Sequence, residues 1–323
     1  MAILPPDPIY ILRGDMGPVH SLLFKISPYY EHIYAGGENG IIYIWDLKSH
    51  RETGKLENHD DDKDKQQCLS MLSFDDEKLI IQKKNGSIDI WISHGSTWIF
   101  NKTIETDYYG FCRCEKLSND LMLIPLAKSN VGIFSLKTFE IIRKLESSKI
   151  PKELGEVMAI KNCGIDNKNI VLVGYESGTI ASWDIDNGSV NNLLENESCP
   201  MTINFDNYWM RGIIGSPTDK IDVFHLTKNY ELVYKTPITM KNSGTSVLAT
   251  RVDSKVFAAG CWDGRIRIYS WKSLRPLVVL DQHRSTIFDI TYSVDKIQAY
   301  NNKNLMAATG KDGTISLWDI YNQ

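Results

Sequence analysis

His283 and Asp312 are the residues whose types most directly suggest catalysis, because a histidine beside a carboxylate can act as a general base. Trp318 follows Asp312 by six residues, at the end of an alternating run that predicts a strand. The alternative is a buried hydrogen-bond network, since buried polar groups need partners. We favour this structural role, because the residues fall at fixed positions of a pattern that is repeated along the chain.

Cys112 and Cys114, in the sequence CRC, are candidates for metal ligands. In a strand the two side chains would share one face. No second Cys or His pair at the spacing of a zinc site follows them, so plain packing is favoured. The chain also lacks a Gly-rich phosphate loop, HExxH and GxSxG. We therefore expect no metal, no cofactor and no enzymatic activity.

The composition bounds the class of protein. The chain has 323 residues, is 42% hydrophobic and 24% charged, and carries a net charge of −4. These values are typical of a soluble globular protein and predict no direct binding of nucleic acid. The apolar runs, such as NIVLVGY at 169–175, are shorter than the roughly 20 residues that span a bilayer, and the N-terminus has no positively charged signal. We expect an intracellular protein with no membrane association, whose six cysteines are reduced and mostly buried.

A short pattern recurs along the chain and predicts its fold. Each copy has a turn pair, usually containing Gly, followed by an alternating run that ends in an aromatic residue. The aromatic residues, spaced 41–49 residues apart, are Trp45, Trp91, Phe134, Trp183, Phe224, Tyr269 and Trp318. A period of about 40–45 with Trp-Asp ending a strand is the signature of the WD repeat. The Trp-Asp pair is retained where Asp46, Asp184 and Asp319 follow their tryptophans.

Each copy also has a strand upstream and an extended segment downstream, as expected of the WD repeat, which forms four strands per propeller blade. The sequence therefore predicts an all-β, seven-bladed WD-repeat β-propeller, as a single domain over residues 1–323. The last copy lacks a fourth strand, and a bare sheet edge promotes aggregation. PIYILRGD at 8–15 resembles PLVVLDQH at 276–283. We expect Pro8–Gly14 to be the outer strand of the last blade, closing the propeller.

WD repeats contain a buried relay of a His, a Ser or Thr, a turn Asp and the strand Trp. The turn position, six before the aromatic residue, holds Asp263 and Asp312 here, and in other copies Asn39, Asn85 and Ser177. The hydroxyl position, ten before the aromatic residue, holds Ala35, Val173, Ala259 and Ala308. We therefore predict that the relay is incomplete in every blade that can be aligned, and that His283 with Asp312 is structural.

Trp262 lies in the turn before the third strand of the sixth repeat, where a side chain should face solvent. The equivalent positions hold Glu38, Lys84, Glu176, Pro217 and Lys311. A Trp among surface residues suits an interface anchor, since Trp is enriched at binding hot spots; the alternative is that it lies flat over its own turn. The candidate partner-binding residues are Trp262, Glu38, Lys84, Glu176 and Lys311.

The sequence ENHDDDKDK at 57–65 is an acidic run between the first and second repeats. A solvated loop is the favoured interpretation. The alternative is a docking patch for a basic partner.

The chain resembles one particular WD-repeat family more closely than it resembles a generic WD repeat. Three segments carry the likeness: AAGCWDGRIRIYSWKSLRPLVVLDQHRSTIFDITYS at 258–293, MAATGKDGTISLWDIY near the C-terminus and PPDPIYILRGDMGPVHSLLF near the N-terminus. They resemble the family of ASTRA-associated protein 1 and its animal relative, the G-protein β-subunit-like protein 1. The likeness covers essentially the whole chain, most strongly at 255–320 and most weakly at 94–150.

The resemblance implies a propeller without catalysis. Members work with Tel/Tti scaffold proteins and RuvB-like ATPases in the chaperone-assisted maturation of phosphatidylinositol-3-kinase-related kinases or their pseudokinase relative. The resemblance also implies a subunit of the ASTRA chromatin-remodelling assembly, located in the nucleus and cytoplasm. It supplies no catalytic residue to transfer to this sequence.

Three other functions are weighed against this one. A heterotrimeric G-protein β subunit needs an N-terminal helix, and only about seven residues precede the first predicted strand, so this function is rejected. A substrate receptor of a cullin-type ubiquitin ligase usually carries Trp-Asp-x-Arg at the end of a repeat. The contexts here are WDLK, WDID and WDIY, and the single WDGR at 262–265 lies in a turn; this reading stays as the alternative. A propeller enzyme would need convergent carboxylates or metal ligands, which the repeats do not show.

Overall fold

The structure is a computed structural model that describes residues 5–57, 66–75, 77–95, 97–165 and 168–321. The strands form seven antiparallel sheets of four strands each. This is the seven-bladed β-propeller that the sequence predicts. Within the described ranges, no helix is both long and apolar enough to cross a membrane. The acidic run lies, apart from the exposed Glu57, outside the described residues.

The strands follow the repeats in chain order. The N-terminal strand is β1 (Tyr10–Leu12). Blades one to three are β2 (Val19–Ile26), β3 (Glu31–Gly37), β4 (Ile42–Asp46) and β5 (Arg51–Leu56); β6 (Cys68–Phe74), β7 (Lys78–Lys83), β8 (Ile88–His94) and β9 (Thr97–Ile104); and β10 (Glu115–Lys116), β11 (Leu121–Leu126), β12 (Asn130–Ser135) and β13 (Glu140–Leu145).

Blades four and five are β14 (Val157–Asn162), β15 (Ile170–Tyr175), β16 (Thr179–Asp184) and β17 (Ser189–Glu195); and β18 (Thr202–Asp206), β19 (Arg211–Gly215), β20 (Lys220–Leu226) and β21 (Leu232–Thr239). Blade six is β22 (Thr245–Thr250), β23 (Val256–Cys261), β24 (Ile266–Ser270) and β25 (Pro276–Leu280). Blade seven is β26 (Ile287–Tyr292), β27 (Met306–Gly310) and β28 (Ile315–Trp318) with β1. Two short 3-10 turns lie at Ser147–Lys149 and Gln298–Tyr300.

Residues 1–104 and 251–323 form one compact unit. It holds blades one, two and seven and strands β23–β25. Its largest apolar cluster joins blades one and seven, and the residues that meet there include Leu12, Trp45, Ile297 and Leu317. A second cluster joins blades one and two through Tyr34, Ile81 and Trp91. Both faces of these sheets are therefore covered, which explains why their strands are apolar nearly throughout.

Residues 105–250 form a second compact unit, with blades three to five and strand β22. Its apolar clusters lie between blades three and four and between blades four and five. Strands β15 and β16 are buried at every position, including the strand aromatic Trp183. The single-domain organisation over residues 1–323 stays a prediction.

The N-terminal strand completes the last blade. Strand β1 pairs antiparallel with β28, with Leu12 opposite Ile315, and the Ile9 N–H donates to the Leu317 carbonyl at 2.8 Å. The prediction is confirmed, although the strand is shorter than Pro8–Gly14. After Leu12 the backbone approaches Trp45 so closely that a Cβ on Gly14 would lie 2.9 Å from the indole.

The cysteines of CRC do not lie in a strand. The inner strand of blade three is only the two-residue β10, and residues 112–114 precede it as irregular structure. Tyr108 explains this local course: its hydroxyl donates to the Val157 carbonyl at 3.0 Å and accepts from the Cys112 N–H at 3.0 Å. Both cysteines are buried, and burial raises the pKa of both thiols.

Candidate functional site

A relay links four side chains in blade seven: the buried His283, Ser316 and Trp318, and the partly exposed carboxylate of Asp312. His283 Nδ1 lies 2.8 Å from Asp312 Oδ2, and His283 Nε2 lies 2.7 Å from Ser316 Oγ. The Trp318 Nε1–H donates to Ser316 Oγ at 2.8 Å. An ionised Asp312 accepts the Nδ1 hydrogen, so Nε2 is free to accept the Ser316 hydroxyl hydrogen. Every polar group in the chain of bonds then has a partner.

The prediction of an incomplete relay is wrong for this blade. The hydroxyl group comes from Ser316, two residues before Trp318, and not from position 308, ten residues before it. The two positions are directly opposite each other in the pairing of β27 with β28. A hydroxyl on either strand therefore reaches the same space, and a rule based on one sequence position missed Ser316.

The relay also has the order of a Ser-His-Asp catalytic triad, with nucleophile-to-base and base-to-acid distances in the usual range. Its burial excludes that use. The His283 side chain and Ser316 are 0% exposed, and Ser316 Oγ is occupied by the Trp318 N–H. A nucleophile must reach a substrate carbon, and this hydroxyl contacts only the interior of its own blade. The arrangement therefore holds structure together.

The pKa of Asp312 reflects the same arrangement. Burial by itself would raise it, but the hydrogen bond and charge interaction with His283 and the bonds from Thr314 lower the pKa below its usual value. The ionised carboxylate is thus the form that the folded blade favours.

The position two before the strand aromatic is polar and buried in several blades. Its occupants are Tyr43, Asp89, Asp222, Arg267 and Ser316. Each bonds within its own blade: Asn39 Nδ2 donates to the Tyr43 hydroxyl at 3.0 Å, Lys83 Nζ lies 2.8 Å from Asp89 Oδ2, and the Tyr234 hydroxyl donates to Asp222 Oδ1 at 2.5 Å. This recurrence of polar residues in otherwise apolar strands is the signal in the sequence that could have identified Ser316.

Blade six has a variant of the relay. The Arg267 guanidinium contacts both carboxylate oxygens of Asp263, at 3.1 and 2.7 Å. These bonds to Asp263 outweigh burial and raise the pKa of Arg267, so it stays charged. A bidentate ion pair therefore does in blade six what the His283 relay does in blade seven.

The other predicted repeat residues lie at structural positions. Trp45, Trp91 and Trp183 are buried, and the Trp45 Nε1–H donates to Met16 Sδ at 3.2 Å. The three Asp residues that follow a Trp fasten nearby chain segments. Asp46 Oδ1 accepts the Ser49 N–H at 2.6 Å, Asp184 Oδ1 accepts the Asp186 N–H at 3.0 Å, and Asp319 Oδ2 lies 2.5 Å from Lys303 Nζ.

The candidate partner-binding residues lie in turns between second and third strands. Glu38, Trp262 and Lys311 are exposed in the first unit, where Lys84 is partly buried; Glu176 is exposed in the second unit. These turns share one hydrogen bond: the side chain of the residue after each candidate accepts the backbone N–H of the residue two positions further on. The acceptors are Asn39, Asn85, Ser177, Asp263 and Asp312. Trp262 is 43% exposed, so part of its indole faces solvent.

Two of the surface cavities among the described residues lie in the first unit. One of about 390 Å³ is lined by the stacked rings of Tyr30 and His32 and by Tyr34, whose hydroxyl accepts the Trp98 Nε1–H at 2.8 Å. Burial raises the pKa of Tyr34 to about 12, despite the opposing bond from Trp98. The other, of about 710 Å³, lies beside β25 and the last described residues, Ile320 and Tyr321. Across the described ranges, no three His, Cys, Asp or Glu residues are grouped so that they could hold a metal ion.

Comparison with known proteins adds the family context. The model of the WD domain, G-beta repeat, matches residues 6–46, 239–270 and 274–319. The chain is 26% identical to mouse guanine nucleotide-binding protein subunit beta-like protein 1, over 98% of this chain and 97% of the mouse protein. It is 25% identical to ASTRA-associated protein 1 of Penicillium rubens over 98% of both chains, and 24% identical to that of Schizosaccharomyces pombe over 98% of this chain and 99% of the yeast protein.

These matches confirm the resemblance seen in the sequence. WD40 repeats lie at both ends of the chain, and the similarity to both kinds of relative extends over nearly the full length at modest identity. The chain is therefore similar to proteins named ASTRA-associated protein 1 and guanine nucleotide-binding protein subunit beta-like protein 1, and it has the fold of a WD-repeat protein.

Proposed function

We propose that this chain is a non-catalytic WD-repeat scaffold subunit of an ASTRA-type assembly. The observation that carries the proposal is the similarity to ASTRA-associated protein 1 over 98% of the chain and 98–99% of two fungal relatives. Such coverage means that the similarity extends along the whole chain and is not confined to the WD motif. A shared fold by itself would not carry the function.

The polar clusters support a role in docking rather than in chemistry. In the Ser-His-Asp relay of blade seven, Ser316 and the His283 side chain are fully buried, and Asp263 is engaged by Arg267 in blade six. Among the exposed residues at the turns, in contrast, Trp262 is of a type that is enriched at protein-binding hot spots. Binding of other proteins is the function that such a surface serves.

The finer proposal concerns partners and place. We infer that the partners are Tel/Tti scaffold proteins and RuvB-like ATPases, that the role is in maturation of phosphatidylinositol-3-kinase-related kinases and in a chromatin-remodelling complex, and that the protein is in the nucleus and cytoplasm. The support is the resemblance to ASTRA-associated protein 1, both in the sequence segments and over nearly the full length of the chain.

Affinity purification of the tagged full-length chain from its own cells, with quantitative mass spectrometry, tests this proposal. We expect enrichment of Tel/Tti proteins and RuvB-like ATPases over a tagged, unrelated seven-bladed propeller as control. Depletion of the chain should lower the steady-state amounts of the kinases, and imaging should place it in both compartments. Recovery of a cullin-ligase adaptor in place of these factors would overturn the proposal in favour of a substrate receptor.

A further inference from the structure

Trp262, Arg284 and Lys311 lie on one surface where blade six meets blade seven; we call it the seam surface. Thr286 connects its parts, because its hydroxyl donates to the Trp262 carbonyl at 3.3 Å and its carbonyl accepts the Lys311 N–H at 3.0 Å. Arg284 precedes Thr286 by two residues in the same connecting segment. All three seam side chains are exposed. Two turns and one connecting segment therefore present an aromatic residue and two cations together.

The backbone beneath these side chains is held tightly. Gly264 has φ +77°, and a Cβ there would lie 2.9 Å from the His283 carbonyl and 3.0 Å from the Arg284 carbonyl carbon. His283 is itself fixed by Asp312 and Ser316. The connecting segment is thus packed against the blade-six turn, and the hydrogen bonds of His283 hold it in place. A partner that binds here would order little backbone, so more of the contact energy would remain as affinity.

The charge left facing solvent on the seam surface is positive. Acidic residues of the two turns and of the strand that leads to Arg284 are already engaged: Asp263 with Arg267, Asp281 with Arg265, and Asp312 with His283. In the part of the chain that the structure describes, no ion pair involves Arg284 or Lys311. An exposed indole and two cations without an ion pair, on one surface, form an arrangement that is complementary to a peptide with carboxylates and an apolar side chain.

We propose that the seam surface docks an acidic peptide segment of a partner protein, with one apolar or aromatic side chain placed against Trp262 and carboxylates placed against Arg284 and Lys311. Trp and Arg are the residue types that most often carry binding energy at interfaces. This inference rests on the proposed scaffold function and gives the chemistry of one segment that the scaffold would hold.

Single-stranded nucleic acid is the other polyanion that combines charge with stacking bases. The observations favour the peptide, because nucleic-acid sites track many phosphates with a basic groove and only two unpaired cations lie here.

Fluorescence anisotropy with defined probes tests the proposal on the full-length chain. The probe is a labelled 12-residue synthetic peptide with Asp and Glu flanking a central Leu-Phe pair; the comparison peptide has Lys in place of the acids, and a labelled oligonucleotide of about 12 nucleotides is the third probe. We expect binding of the acidic peptide that weakens with added salt. Trp262→Ala should raise its Kd about tenfold or more.

Charge reversal makes the test specific. Arg284→Glu with Lys311→Glu should abolish binding of the acidic peptide and produce binding of the lysine peptide. The matched control is Lys272→Glu with Lys296→Glu, which reverses two exposed lysines at the opposite strand ends of the same two blades. Tyr29→Ala, at a 92% exposed aromatic residue on a turn of blade one, is the control for Trp262→Ala. The control variants should keep the Kd within about twofold.

The outcomes separate this inference from the proposed function. Four outcomes would each overturn the docking site: equal binding of both peptides, no binding of either peptide, equal effects of the seam and control variants, or binding of the oligonucleotide alone. If Tel/Tti proteins are nevertheless recovered with the tagged chain, the scaffold function stands without it. If the acidic peptide binds and follows the charge reversal but those proteins are not recovered, the seam surface stands and the assembly assignment fails.

Discussion

Ser316→Ala should destabilise the protein far more than the loss of one oxygen atom suggests. The hydroxyl accepts the Trp318 N–H at 2.8 Å and lies 2.7 Å from His283 Nε2. Its removal leaves two buried nitrogen atoms without a partner, each at a cost of about 2 kcal/mol. The free energy of unfolding should fall by about 4 kcal/mol, and at the usual unfolding entropy per residue this lowers the Tm by roughly 6 °C.

Ser182→Ala is the matched control. Ser182 is equally buried and stands one residue before Trp183 in the corresponding strand of blade four. Within the ranges that are described, its hydroxyl has no hydrogen-bond partner. Removal of a buried hydroxyl that has no partner leaves nothing unsatisfied, so the free energy of unfolding should change by less than about 1 kcal/mol or rise.

Differential scanning fluorimetry and urea unfolding of both variants beside the wild type measure this difference. The relay accounts for the result if Ser316→Ala alone is strongly destabilised. If the two Ser→Ala variants unfold together, the reasoning about the relay is refuted, because serine burial and not the hydrogen-bond network would then set the cost.

Further perturbations follow from the same contacts. Because the fold lowers the pKa of Asp312, the carboxylate stabilises the protein above its unfolded pKa of about 3.9, and this stabilisation is lost as pH falls through the lower folded value. Asp312→Asn should therefore flatten the acid limb of a curve of unfolding free energy against pH. An unchanged curve would contradict this. Leu12→Ala, at a fully buried residue of β1, should lower the free energy of unfolding by about 3 kcal/mol. Ile9→Ala, at a residue of the same segment that is 41% exposed, should lower it by less than about 1 kcal/mol. Equal effects would argue against closure of the propeller by β1. A fluorophosphonate probe should leave Ser316 unlabelled in the native protein by intact mass while it labels a serine hydrolase, and labelling of Ser316 would show that the relay is accessible.

The number and type of blades could be predicted from the sequence because the aromatic residue keeps its place even where the Trp-Asp pair is lost. Phe134, Phe224 and Tyr269 fill the same buried strand position as the tryptophans. A position in a repeat is fixed by packing on both faces of the sheet, so it tolerates a change of aromatic type. The outer strand β1 was also predictable, because an unpaired edge needs a partner and few segments remain to provide one.

The side-chain networks were less predictable because they depend on cross-strand neighbours. Ser316 enters the relay from the strand opposite the expected position 308, which no spacing rule along one strand can show. The course of residues 112–114 depends on Tyr108 and Val157, which are far apart in the chain. Trp262 was predicted as an interface residue from the register of the turns, and this role stays a prediction. Arg284 was missed, because it lies in a connecting segment that only the close packing at Gly264 brings beside the turn.

Reconstitution from purified components tests the central claim most directly. The full-length chain, mixed with purified Tel/Tti complex at micromolar concentration, is passed over a size-exclusion column with light-scattering detection. We expect one co-eluting complex of fixed stoichiometry that forms without nucleotide or turnover of any substrate. Separate elution of the two proteins at these concentrations would contradict the account of the chain as a subunit that works by holding that scaffold.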